Sequence, residues 1–145
     1  RAGPGRRRRP HLRHQVSRPM ATLIDQDFFA RLNALNDKFA SSVPSTMARL
    51  RDARMRFDVS APDTGLVGEL HQMLHTIAGS AATFGFRVLG QQARQLEQRL
   101  RVLMAFEVVA PQDWENWMTC LDEYVAWAEV NPKADRYVGE SAQAS

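Results

Sequence analysis

The chain has one cysteine, Cys120, among 145 residues. An intramolecular disulfide is impossible, a cysteine-rich zinc site is excluded, and nothing exploits an oxidising compartment. Long apolar runs are missing: no stretch approaches the roughly 18 consecutive apolar residues that cross a bilayer as a helix. No G-x-x-x-x-G-K-[ST] loop is present, so the sequence offers no cradle for the phosphates of ATP. Sustained alternation of apolar and polar residues is absent, which argues against strands. Acid is lacking where arginine is densest. Residues 1–19 carry seven arginines, three prolines, two glycines and no Asp or Glu. The overall charge of +3 is therefore a property of that end, because residues 20–145 hold 12 basic and 16 acidic residues, net −4. The sequence pI near 9.6 misleads for the same reason. Residues 20–145 have no basic footprint for nucleic acid.

What is present is a 44% hydrophobic complement, enough for a core without covalent staples. Residues 1–19 are too poor in apolar side chains to join it. Three readings stand for them: a disordered basic arm for nucleic acid or an acidic surface, a targeting segment, and a start-site artefact. The targeting reading lacks its apolar h-region, and the artefact is preferred because Met20 stands where the globular pattern begins. The expected organisation is a tail over 1–19, a folded body over 20–131 and a C-terminal tail over 132–145. The expected compartment is the cytoplasm.

Apolar residues recur at helical spacing through the body. Phe28, Leu32, Leu35 and Phe39 predict a first helix, capped or favoured by Asp25 or Asp27. Ser41-Ser42-Val43-Pro44 is expected to break it. Met47, Leu50, Ala53 (or Arg54) and Phe57 predict a second. Past a loop at Ser60-Ala61-Pro62-Asp63, a helix over about 64–83 carries Leu66, Leu70, Met73, Leu74, Ile77 and Ala81, with Gly85 as its stop. A helix over about 87–103 carries Leu89, Ala93, Leu96, Leu100 and Leu103. Pro111 opens the last, with Trp114, Trp117, Met118, Leu121, Tyr124 (or Val125) and Ala128 inward and Asn131-Pro132 at its end. Phe28, Phe39, Phe84, Trp114 and Trp117 are expected in the core, with Trp127 partly exposed. The fold class is all-α: an antiparallel four-helix bundle with an additional N-terminal helical segment.

The stretch Leu74-His75-Thr76-Ile77-Ala78-Gly79-Ser80-Ala81-Ala82-Thr83-Phe84-Gly85-Phe86 carries the chemistry. With successive residues about 100° apart on a helical wheel, His75 stands roughly 150° from the centre of the apolar stripe and faces solvent. Gly79 lies one turn on, Gly68 and His71 on the preceding turns, and Ala78 and Ala82 beside it. Glycine within a helix costs about 1 kcal/mol relative to alanine. A face that only met water would more stably hold Glu, Lys or Gln. Small residues let a partner's backbone approach the ring, and a neutral imidazole is a nucleophile near pH 7. His71 and His75 at i, i+4 also have zinc-binding spacing. However, Gln72 occupies the place of a zinc protease's glutamate and no third ligand is evident, so no metal is expected. Cys120 has no basic neighbour in sequence and reads as structural.

This stretch resembles the phosphorylation motif of histidine-containing phosphotransfer (HPt) domains of bacterial phosphorelays. His75, Ile77, Gly79, Ser80, Ala81, Phe84 and Gly85 stand at its positions, and Leu89, Ala93, Leu96 and Glu97 resemble the Ala-x-x-Leu-Glu pattern of the next helix. The resemblance spans about residues 28–128, with its specific part between 70 and 100. It implies a monomeric four-helix bundle that accepts a phosphoryl group on His75 from the aspartyl phosphate of a response-regulator receiver domain or a hybrid histidine kinase. The group then passes to another receiver, with no ATP-dependent kinase activity. It implies no cofactor on this chain, the Mg²⁺ belonging to the receiver. It implies partner contacts at Gly79, Ala78, Ala82, His71, Gly68, Gln91 and Arg94. Many members carry lysine three residues after the histidine; here that residue is Ala78, and Arg87, Gln91 or Arg94 would supply the contact instead. The readings from other classes are a non-phosphorylated helical adaptor that binds a receiver, and a nucleic-acid accessory protein resting on residues 1–19 alone.

Overall fold

The computed structural model describes the backbone of residues 2–139 and the side chains of residues 25–139. The reading of residues 1–19 as a tail concerns side chains outside the described set. Four helices follow one another: α1 (Ala2–Arg56), α2 (Thr64–Thr83), α3 (Arg87–Met104) and α4 (Pro111–Val130). The chain divides into two units, residues 1–37 and 38–145.

The first unit consists of α1 residues alone. Phe28 and Phe29 meet edge to face at 5.6 Å, and Arg31 pairs with Asp27 one turn away at 2.6 Å. Phe28 and Leu35, expected to face a core, are exposed. This corrects the sequence reading, and the cause is that the unit offers no second element to cover them. Asp25 and Asp27 lie inside α1 and do not cap it.

The second unit is a bundle of α1 from residue 38 onward with α2, α3 and α4. The expected break at Ser41–Pro44 does not occur, and α1 is continuous through it. Proline within a helix costs about 3 kcal/mol. Against that, Val43, Met47, Leu50 and Ala53 are all buried on one side of the helix, and Phe57 just past its end is buried too. Burying each large apolar side chain contributes about 1.5–3 kcal/mol. Breaking the helix at Pro44 would take Val43 and Met47 off that shared face. Pro44 itself is exposed. Hydroxyl groups serve the local carbonyls: Ser42 Oγ donates to Phe39 O at 2.6 Å and Thr46 Oγ1 to Ser42 O at 3.1 Å.

The ends of α2 follow from its sequence. Asp63 caps the start, its Oδ1 accepting from Gly65 N at 2.8 Å. At the other end Gly85 has φ +82°, and Phe86 N donates back to Ala81 O at 2.9 Å. That is the six-to-one bond of a glycine-terminated helix. Phe86 then packs against Phe39 at 4.9 Å. Two side chains of α4 are pegged to the backbone of α3: Trp117 Nε1 donates to Leu96 O at 3.0 Å and Tyr124 OH to Leu89 O at 2.9 Å. Both residues are fully buried, so these bonds keep polar atoms satisfied inside the core.

Residues 132–139, expected within a C-terminal tail, turn back along α4. Trp127 Nε1 donates to Arg136 O at 2.9 Å, and the Tyr137 ring meets Trp127 at 5.3 Å. Trp127 is half-buried in consequence. No helix among the described residues is long and apolar enough to cross a membrane.

Candidate functional site

His75 sits in the middle of α2, its side chain 60% exposed. The ring is not free in solvent. Its Nδ1 lies 2.7 Å from Oε2 of Glu97 on α3. Glu97 is the one buried charged residue among the described residues, 2% exposed. As a carboxylate it can only accept, so the proton on that line belongs to Nδ1. A neutral imidazole with its hydrogen on Nδ1 carries its lone pair on Nε2, on the other side of the ring. One buried acceptor thus selects the tautomer and aims the remaining nitrogen away from the bundle.

Glu97 has two further neighbours. Arg101, one turn later on α3, places Nη2 3.3 Å from Oε2. His71, one turn before His75, places Nε2 3.5 Å from the same oxygen. The two imidazole rings are nearly parallel, 10° apart with centroids separated by 6.4 Å. A carboxylate taken out of water is costly unless its lone pairs are used; His75 Nδ1 and Arg101 Nη2 use them, while His71 Nε2 comes near without a hydrogen bond.

Of the expected site residues, Gly79 and Ala82 are exposed and Gly68 is half-buried. A Cβ at Gly68 or Gly79 would meet no atom within 4 Å. Ala78 is different and corrects the sequence reading: it is buried, not on the open strip beside His75. Its place is the seam between α2 and α3, where a Cβ at Gly90 would lie 3.2 Å from Ala81 Cβ, 3.3 Å from Ala78 O and 3.4 Å from Ala82 N. Alanine at 78 serves the close approach of two helices. Gln91 and Arg94 are exposed on α3, and Gln91 accepts from Arg87 Nη1 at 3.3 Å. Arg94 lies on the stripe Gly90–Arg94–Glu97–Arg101, the face that α3 turns toward α2.

Residue patterns alone did not disclose the roles of Glu97, Arg101 and Gly90. A signal for Glu97 exists: it stands four residues after Ala93 and three before Leu100, at a core-facing register. A carboxylate there demands a partner. Cys120, read from sequence as structural, is buried, but Arg99 of α3 reaches its Sγ at 3.5 Å, a basic neighbour distant in sequence. Among the described residues, no group of three or more His, Cys, Asp or Glu side chains suits a metal ion. A shallow groove of about 240 Å³ runs beside the site between α1 and α2, lined by Phe39, Thr46, Arg49, Gln72 and Thr76 among others.

Compared with protein families, residues 34–127 match the model of the Hpt domain. The chain belongs to the Hpt domain family. No curated protein and no solved structure matches it. The matched span of this Hpt domain holds the whole cluster of His71, His75, Glu97 and Arg101. Membership gives the helical bundle its functional class, a phosphotransfer role in phosphorelays, as a phosphocarrier and not a kinase.

Proposed function

We propose that His75 accepts a phosphoryl group from the aspartyl phosphate of a receiver domain and hands it to an aspartate of a second receiver. The observation that supports this most is the Nδ1–Glu97 hydrogen bond at 2.7 Å beneath a ring that is otherwise open to solvent. The Nε2 lone pair attacks phosphorus in line, and the bond from phosphorus to the aspartyl oxygen breaks, its electron pair leaving with the carboxylate. The ring, now bonded to phosphorus at Nε2 and to hydrogen at Nδ1, carries a positive charge. Glu97 faces that charge, as the buried carboxylate of a hydrolase triad faces its imidazolium. The receiver brings its own Mg²⁺ and acidic pocket. This chain contributes nucleophile, orientation and a face without bulk, in keeping with phosphoryl transfer being mainly positioning and electrostatics.

The lysine that many Hpt domains carry at the position of Ala78 has a substitute on α3. Arg94 and Arg101 flank Glu97 on one stripe, and both reach solvent. They supply positive charge to the phosphoryl oxygens on docking. Gly68, Gly79 and Ala82 leave room for the receiver's backbone, the groove between α1 and α2 takes a side chain of the receiver, and the compartment is the cytoplasm.

The test is incubation with a phosphorylated receiver. Acid-labile, alkali-stable label on this chain that is lost in His75→Gln is the expected result. Complex formation without label would replace the carrier by the adaptor reading.

A further inference from the structure

We infer that His71 is a positioning residue for His75, acting through the carboxylate they share. The inference rests on the carrier reading above and concerns how the nucleophile is held. Three nitrogens converge on Glu97 Oε2: His75 Nδ1 at 2.7 Å and Arg101 Nη2 at 3.3 Å in hydrogen bonds, and His71 Nε2 at 3.5 Å, just short of one. They differ in freedom. The Arg101 side chain is 65% exposed and can leave for water. The Nε2 atom of His71 is buried with no hydrogen-bond partner, and Glu97 Oε2 is the acceptor recorded nearest to it. A buried ring N–H left without an acceptor is costly. Neutral His71 therefore carries its proton on Nε2 and directs it at Glu97.

The spacing makes this a clamp. His71 and His75 are neighbours on one face of α2, their rings parallel, with the carboxylate of α3 below both. His71 holds the carboxylate on the α2 side, within reach of His75 Nδ1. Without that donor the carboxylate turns toward Arg101 and Nδ1 loses its acceptor. The His75 proton then moves to Nε2, where it blocks the lone pair that attacks phosphorus. His71 touches neither phosphorus nor donor, so its effect shows first in the tautomer of His75.

The experiment uses the full chain and two variants. His71→Phe keeps a ring over His75 and removes the N–H; His71→Gln removes the ring and keeps an N–H at the place of Nε2. Nitrogen–proton correlation spectra, at a pH where both rings are neutral, read the tautomer ratio of His75. Labelling by phosphoramidate, a small donor that needs no receiver, reads the reactivity of Nε2. In His71→Phe the ratio of Nδ1–H to Nε2–H falls about fivefold, the equivalent of one ordinary hydrogen bond weakened at Nδ1, and the labelling rate falls with the Nδ1–H fraction. In His71→Gln both stay within about twofold of the unaltered chain, because an N–H still faces the carboxylate. An unchanged ratio in His71→Phe overturns the inference, and so does an equal fall in the two variants. The tautomer is read on unphosphorylated chain, so this result stands apart from whether any receiver donates to His75.

Discussion

At the scale of single residues, the mechanism we propose makes the reactivity of His75 depend on a group that never meets the phosphoryl donor. Glu97 lies beneath the ring and accepts the hydrogen bond from Nδ1–H; in the proposed transfer it opposes the charge that develops on the ring. Glu97→Gln keeps an acceptor of the same shape and removes the charge. Hydrogen bonds to charged groups contribute about 1.5–3 kcal/mol, so the single-turnover rate of phosphoryl acceptance from a receiver falls about tenfold or more. An unchanged rate would mean that the carboxylate only fills space. His75 was legible from residue type, its place on the helical wheel and the glycines around it. The role of Glu97 was not, because a contact between residues 22 positions apart depends on how two helices pack.

At the scale of elements, small residues do two different things in this molecule, and sequence spacing alone does not tell them apart. Gly79 faces open space, whereas a Cβ at Gly90 would lie 3.2–3.4 Å from atoms of α2. Replacing Gly79 by alanine removes the backbone penalty and stabilises the bundle by about 1 kcal/mol. Gly79→Leu leaves the fold intact yet slows transfer from a receiver, since bulk then stands beside the ring. Gly90→Leu forces α2 and α3 apart and lowers stability in urea by about 1–3 kcal/mol, with overpacking as the cause. Ala78 belongs with Gly90. The helix boundaries at Asp63, Gly85 and Pro111 were readable because each has a local cause in caps and turns. Pro44 misled because its local cost is outweighed by the apolar face of α1 that runs past it, a tertiary effect.

At the scale of the whole molecule, the bundle has Tyr124 in its core and Tyr137 half-buried against it. Burial first, then the carboxylate of Glu123, pushes the Tyr137 phenol from 10.0 up to about 12. Burial pushes the Tyr124 phenol up as well. A phenol that holds its proton more firmly folded than unfolded contributes fully below the unfolded value and loses that contribution as pH rises. The phenols' contribution to stability should therefore be level below pH 10.0 and decline as pH climbs toward about 12. Tyr137→Phe should shrink the decline, as read from denaturation midpoints across that window. At the surface, Arg51 of α1 pairs with Glu129 of α4 and holds its carboxyl below the usual range. So exposed a pair contributes little to stability.

The most direct measurement concerns the phosphorus itself. After transfer from a phosphorylated receiver, phosphorus NMR on the intact chain, with peptide mass spectrometry for the residue, locates the bond. The account predicts a single phosphohistidine at His75 with phosphorus on Nε2, absent from His75→Gln. Phosphorus on Nδ1, or on any other residue, would contradict it, because Nδ1 is the nitrogen that Glu97 holds.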